Sequence, residues 1–318
     1  MFDKWNIKSS EIHPEIRTVG NIIRTIMPNF TVGFFKLANF FLDNIGLPNL
    51  TKGINYEEKY ITREDGTKLR ICVYSPKEKK ENVPGLLWIH GGGYVYGSKE
   101  IYRRYGMDMA RRGFAFVNFN YRLAPKWRFP TPLWDTNSVM EWICKNAARY
   151  HLDPKRIIIV GDSAGAQLAS QYAAIATNPA YAAAFHMTVP EITVRALGLN
   201  CGMYDPAVFL KNGATGAARD YLGKNADLGD PRLQIMQAIG CNYPAAHITT
   251  AHHDFLRDHA KPMYDFLTER GIRCKLDIYG SEDDAAIGHV FHVTINTPEA
   301  IRCNDDAAAF FHNVLATK

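Results

Sequence analysis

Arg156-Ile157-Ile158-Ile159-Val160-Gly161-Asp162-Ser163-Ala164-Gly165-Ala166-Gln167-Leu168-Ala169 is the stretch that decides how this chain is read. Four consecutive β-branched residues, Ile157 to Val160, make a buried strand, and the alanine-rich run after Gly165 is a strong helix former. A serine on so sharp a strand-to-helix turn takes strained backbone angles and projects its oxygen above the sheet. Such a turn brings strand and helix so close that Cβ atoms two residues either side of Ser163 would clash, which accounts for Gly161 and Gly165. The helix that opens here aims its free amides and positive dipole end at the serine. Gly-x-Ser-x-Gly alone arises by chance in about one chain in ten of this length. The flanking strand and helix make the signal far more specific.

Working outward, a second loop supports the first. The strand Leu86-Leu87-Trp88-Ile89 runs directly into His90-Gly91-Gly92-Gly93-Tyr94-Val95-Tyr96-Gly97. Three consecutive glycines cost backbone entropy and serve close approach or unusual angles. Attack of a serine on an acyl carbonyl develops an oxyanion that needs preorganised N–H donors. The backbone amides of Gly92, Gly93 and Ala164 are the natural three, with Gly91 the alternative if the register shifts by one. A phosphate loop would end in Gly-Lys-Ser/Thr, and a dinucleotide loop would read Gly-x-Gly-x-x-Gly at the head of a helix; neither fits.

Serine hydroxyl is a poor nucleophile and requires a neutral histidine to take its proton and a carboxylate to orient that histidine. After an elbow of this kind the acid and then the base follow along the chain, each at the C-terminal end of a strand. Asp254 follows the strand-like run Ala246 to Ala251, and His289 follows Cys274 to Tyr279. Asp205, Asp258 and the trio Glu282, Asp283, Asp284 compete for the acid, and His292 competes for the base. A neutral imidazole is required, so activity is expected to fall as pH drops below roughly 6 to 7. His252, His253, Asp254, His289 and His292 could together suggest zinc, but no His-Glu-x-x-His occurs, and a metal would leave the glycine loop and elbow unexplained. No metal and no organic cofactor are expected.

The rest of the chain supplies the frame. Tyr56–Thr62 and Lys68–Ser75 read as strands around the hairpin turn Glu64-Asp65-Gly66-Thr67. Further strands are predicted at Gly85–Ile89, Phe114–Asn118, Arg156–Val160, Val194–Leu199, His247–Thr250 and Cys274–Tyr279. Helices are predicted near 100–112, 132–149, 164–176, 258–270 and 298–315. This alternation predicts an α/β fold, a mostly parallel sheet of about eight strands with helices on both faces. Residues 1–50 lack glycine-punctuated strands, and Phe34, Leu37, Phe41 and Ile45 recur at helical spacing. They are read as an N-terminal helical cap on a catalytic domain spanning 51–318, with 179–190 and 205–230 as further contributors to the cap.

Composition excludes several classes. The 318 residues are 47% hydrophobic and 22% charged with a net charge of +5, values of an ordinary globular chain. The basic residues are dispersed, so no nucleic-acid footprint is expected. The six cysteines form no Cys-x-x-Cys pair and are read as free thiols in a reducing compartment. Met1 to Ile16 carries Asp3, Lys4, Lys8, Glu11 and Glu15 and offers no signal-peptide core. The apolar stretch from Ile26 to Leu47 is broken by Pro28, Lys36, Asn39, Asp43 and Asn44, so stable membrane insertion is not expected. The expected home is the cytoplasm, and the expected state a monomer or homodimer.

Several ordered motifs carry a family resemblance from about Tyr56 to the C-terminus. They are His90-Gly-Gly-Gly-Tyr-Val-Tyr-Gly97, Asn120-Tyr-Arg-Leu-Ala-Pro125, Arg128-Phe-Pro-Thr131, Gly161-Asp-Ser-Ala-Gly165 and Asp254-Phe-Leu-Arg-Asp258. In these the chain resembles the hormone-sensitive-lipase-like α/β-hydrolases, the bacterial family IV esterases, in the Gly-Asp-Ser-Ala-Gly subgroup. The resemblance implies ester hydrolysis through an acyl-enzyme without cofactor, with Ser163, Asp254 and His289 as the triad and the loop after His90 as oxyanion hole. Two departures stand out: His289-Val290-Phe291 replaces the usual His-Gly-Phe, and Asp254-Phe255-Leu256 replaces Asp-Pro-Leu. The expected substrate is a small ester with a short acyl chain, for which Tyr94, Tyr96 and Phe34 are candidate pocket walls. An amidase or peptidase with the same triad, and a non-catalytic small-molecule-binding member of the fold, are the other classes.

Overall fold

The computed structural model describes residues 52–63, 65–77, 82–205, 216–284 and 286–317. The expected cap over residues 1–50, including Phe34, lies outside the described residues. Within them eight strands form one sheet: β1 (Ile54–Thr62), β2 (Lys68–Pro76), β3 (Val83–Ile89), β4 (Ala115–Phe119), β5 (Leu152–Asp162), β6 (Val194–Asn200), β7 (Ala245–Ala251) and β8 (Cys274–Tyr279). Their spatial order is β1-β2-β4-β3-β5-β6-β7-β8. The first three neighbours are joined by antiparallel pairing, and every pairing from β4 through β8 is parallel. The hairpin pairs Thr62 with Lys68, and Gly66 takes the positive φ of 76° that its turn requires.

The helices are α1 (Arg103–Arg111), α2 (Thr131–Asn146), α3 (Ala164–Thr177), α4 (Pro179–Ala184), α5 (Gly216–Leu222), α6 (Ile235–Ala238), α7 (Ala260–Glu269) and α8 (Pro298–Ala316). They divide between the two faces of the sheet because central strand residues alternate. Leu87, Ile89, Ile157 and Ile159 join the core built on α2, α3 and α7. Leu86, Trp88, Ile158 and Val160 join the core built on α1 and α8. A strand buried on both sides has no polar face, which is why residues 86–89 in β3 and 157–160 in β5 read as unbroken apolar runs.

The predicted strands are all present, several of them longer than the sequence suggests. β5 begins at Leu152, not Arg156, because Val83 pairs with Leu152 before the register shifts between Pro84 and Gly85. Among the described residues no helix is long and apolar enough to cross a membrane. All six cysteines are free, with Cys72, Cys201 and Cys303 buried.

Phe311 on α8 shows how the second face is filled. It is fully buried, meets Phe114 edge to face at 6.1 Å between ring centroids, and occupies the space that a side chain at Gly198 would need. Phe311→Ala should cost about 3–5 kcal/mol of unfolding free energy, measured by urea denaturation.

Candidate active site

The turn that links β5 to α3 is as tight as its sequence implies. Ser163 sits at φ 53° and ψ −121°, a region that a residue with a side chain occupies only when its surroundings enforce it. A Cβ on Gly161 would lie 2.3 Å from the Gly165 carbonyl oxygen, and one on Gly165 would lie 2.0 Å from that of Ile89. Strand β3, the turn and α3 therefore touch backbone to backbone. The Ser163 amide donates to the Asn200 carbonyl at 2.9 Å, fastening the turn to the end of β6.

Asp162, buried directly before the serine, reaches across to the glycine loop. Its Oδ1 accepts the Gly91 amide at 2.8 Å and its Oδ2 accepts the Tyr102 hydroxyl at 2.8 Å. Gly91 is thereby committed. The amides of Gly92 and Gly93 donate to no acceptor among the described residues, and neither does that of Ala164, the first residue of α3. Gly92 at φ 116° admits no side chain, because a Cβ there would stand 2.1 Å from the Tyr96 carbonyl oxygen.

The neighbouring motif residues hold this loop from below. Tyr121 stacks on the His90 ring at 4.1 Å and donates its hydroxyl to the His90 carbonyl at 2.9 Å. Asn120 Oδ1 accepts the Lys99 amide at 2.6 Å, and the Arg122 guanidinium grips the fully buried Asp135 of α2. His90 is itself buried, with Nδ1 2.8 Å from the Gly91 carbonyl. A carbonyl only accepts, so Nδ1 carries the proton. Burial outweighs that bond and lowers the imidazole to about 4, keeping it neutral.

Tyr94 requires a correction: the ring read as a pocket wall is 1% exposed and belongs to the core. Its φ of 67° turns the side chain inward, where it stacks on Tyr221 of α5 at 3.9 Å and donates to Gln167 Oε1 at 3.0 Å. Tyr96 is half-buried beside the loop. The segment 216–222 lies over the glycine loop, since a Cβ on Gly93 would meet the Ala217 side chain at 3.2 Å.

Beyond β7 and β8, Asp254 and His289 are brought together. His289 Nδ1 and Asp254 Oδ1 are 2.6 Å apart, and both side chains are at least nine-tenths buried. The carboxylate also accepts the Leu256 amide at 2.9 Å and the Thr250 hydroxyl at 2.8 Å. Burial raises its carboxyl, but the adjoining His289 and these donors outweigh burial and hold it well below the usual carboxylate range. Parallel pairing of β5, β6 and β7 puts Ser163 and Asp254 beyond the same edge of the sheet.

The competitors are placed elsewhere. His292 is buried between Trp88 and Tyr105 in the core of the α1 and α8 face. Asp258 lies in the short turn Arg257–His259 with its side chain in solvent, Glu282 and Asp283 are exposed, and Asp205 is half-buried beyond β6. His253 is bonded to the Glu282 carbonyl at 2.9 Å in an exposed position.

Sequence reasoning missed Cys201. Its thiol lies within 4.8 Å of donor atoms of Asp254 and His289 and accepts the Val290 amide at 3.3 Å. Val290 needs that support, because it stands at φ 64° where the resembled family has glycine. Burial, reinforced by the Asp254 charge, pushes the thiol well above its ordinary range.

Residues 86–292 match a family model described as the α/β-hydrolase fold. The chain is 27% identical over 245 residues to carboxylesterase NlhH of Mycobacterium tuberculosis, a match covering 72% of this chain and 74% of that one. A shorter match, 36% identical over 113 residues, links 35% of this chain to 36% of the ethyl acetate hydrolase of Pseudomonas putida. Esterase LipW from Mycobacterium marinum superimposes with a TM-score of 0.74 at 21% identity over 91% of each chain, a likeness of fold. With a family match spanning β3, the elbow and the turn that bears His289, this chain belongs to the α/β-hydrolase fold family.

Proposed function

We propose that the protein is a serine carboxylesterase of the hormone-sensitive-lipase-like, family IV type, in the subgroup with Gly-Asp-Ser-Ala-Gly at the elbow. The observation that carries the proposal is the buried 2.6 Å contact between His289 and Asp254 on the sheet edge where Ser163 stands strained. The names of the mycobacterial and pseudomonad relatives agree with it.

In this reading Ser163 Oγ attacks the ester carbonyl as His289 Nε2 takes its proton. Asp254 accepts the hydrogen bond from the Nδ1–H of His289 and stabilises the imidazolium that forms. The new C–O bond pushes the carbonyl electrons onto oxygen, and the amides of Gly92, Gly93 and Ala164 donate hydrogen bonds to the oxyanion that results. The tetrahedral centre collapses by breaking the bond to the alcohol, which leaves with the proton from His289. Water then repeats the attack and frees the acid. Burial of Asp254 serves the cycle by strengthening its bond to the imidazolium in a poorly screened site. The Gly91 amide is already bound to Asp162, which favours Gly92 and Gly93 as donors. A short acyl chain is the expected preference.

A panel of p-nitrophenyl esters from acetate to palmitate tests catalysis and chain length together. Ser163→Ala should lower kcat by about four to six orders of magnitude on every ester that the wild type cleaves; retained wild-type activity would sink the proposal.

Asp162→Asn should lower kcat about ten- to a hundredfold with little change in KM, because one of two acceptors that hold Gly91 and Tyr102 becomes a donor. Steady-state kinetics on one short ester decides it, and a change confined to KM would contradict a role in the transition state.

Acid should not disable Asp254 near the ordinary carboxylate value of about 4, so the kcat/KM profile should show no separate limb there. The same depression has a stability consequence. It contributes fully above the unfolded value and is lost as pH falls from there toward the lower folded value. The thermal midpoint of Asp254→Asn should therefore vary less with pH than that of the wild type below about pH 4.

A further inference from the structure

Phe255 is the most exposed large apolar side chain among the described residues, at 71%, and its ring centroid lies 4.2 Å from that of His289. A single exposed aromatic on a surface is ordinary and by itself means nothing. This one differs in where it is and how firmly it is held. Its backbone runs between Asp254 and Leu256 in a turn closed by three bonds: Asp254 amide to Ala251 carbonyl at 3.0 Å, Leu256 amide to Asp254 Oδ1 at 2.9 Å, and Arg257 amide to Asp254 carbonyl at 3.0 Å. Leu256 next to it is buried. The turn thus fixes the backbone that carries the ring, while most of the side chain is exposed. It also stands where the sequence departs from the Asp-Pro-Leu of the family it resembles.

The chemistry of the proposed reaction gives that position a meaning. When the tetrahedral centre breaks down, the C–O bond to the alcohol is cleaved, its electron pair stays on the alcohol oxygen, and His289 supplies the proton. The alcohol oxygen must then lie within hydrogen-bond reach of His289 Nε2. Whatever is attached to that oxygen extends past the edge of the imidazole, and the exposed Phe255 ring is packed against that imidazole. A methyl or ethyl group is too short to use much of the ring. A planar ring one carbon from the oxygen is long enough to lie against it in an offset or edge-to-face arrangement.

We infer that Phe255 is the wall of the alcohol subsite and biases this site toward short-chain esters of arylmethyl alcohols. The inference rests on the serine-esterase reading above and adds the leaving-group side of the substrate. Phe255 acts by contact with the alcohol, whereas Asp254 acts through His289.

Benzyl acetate and ethyl acetate test it. They share an acyl group, and their alcohols have similar acidity, so the aromatic ring is the main difference between them. In the full-length protein the ratio of kcat/KM for benzyl acetate to that for ethyl acetate should fall about tenfold in Phe255→Ala, mostly through KM for the benzyl ester, and be kept in Phe255→Tyr. Phe255→Leu should fall between the two. An unchanged ratio in Phe255→Ala overturns the inference, including the case where both esters slow equally because the ring only props His289. Failure of the wild type to cleave benzyl acetate while it cleaves p-nitrophenyl acetate overturns this inference alone, and failure on both overturns the esterase reading with it.

Discussion

The rest of the site depends on a three-way backbone contact between β3, the elbow and the first turn of α3. Gly165 lies so close to the Ile89 carbonyl, and Gly161 so close to Gly165, that no side chain fits at either place. This crowding holds Ser163 in its strained conformation, because a chain packed against backbone on two sides cannot relax without separating a strand from a helix. It also brings the glycine loop after β3 alongside the serine. The Asp162 carboxylate then locks loop to elbow through the Gly91 amide and the Tyr102 hydroxyl. Positioning of the loop and positioning of the nucleophile are consequently one structural problem with one solution.

A second, looser assembly supplies the other two groups. Asp254 and His289 come from turns beyond β7 and β8 that a parallel bridge between His253 and Gly288 ties together. Their precision comes from polar contacts: Thr250 and Leu256 orient the carboxylate, and Cys201 receives the amide of Val290 beside the histidine. The positive φ of Val290 shows what the missing glycine costs and how it is accommodated, with a buried thiol accepting the amide of a β-branched residue in an uncomfortable conformation.

What was legible in the sequence follows the same division. Alternating apolar runs and helical periodicity located all eight strands and the five longer helices α1, α2, α3, α7 and α8, since burial on both faces leaves an unmistakable pattern in β3 and β5. The elbow and glycine loop were legible because steric crowding demands glycine at fixed spacing. The N-terminal part of β5 was hidden because Asp153, Pro154 and Lys155 interrupt the apolar pattern, although Pro84 pairs with Asp153. The burial of Tyr94 goes with a positive φ that no periodicity reveals. Cys201 carries no spacing signal, and only the fold puts it next to Asp254 and His289.

His90 gives the loop a property that composition would not suggest. A histidine one residue before three glycines looks like a source of switchable positive charge near a developing anion. Its burial against Tyr121, with the imidazole lowered to about 4, removes that possibility in any near-neutral medium. The donors that face a bound carbonyl are then fixed amide dipoles and the end of α3, and His90 adds no charge to them between pH 8 and pH 6. A change of rate over that range is therefore read at the base, His289, and not at the groups that face the developing oxyanion.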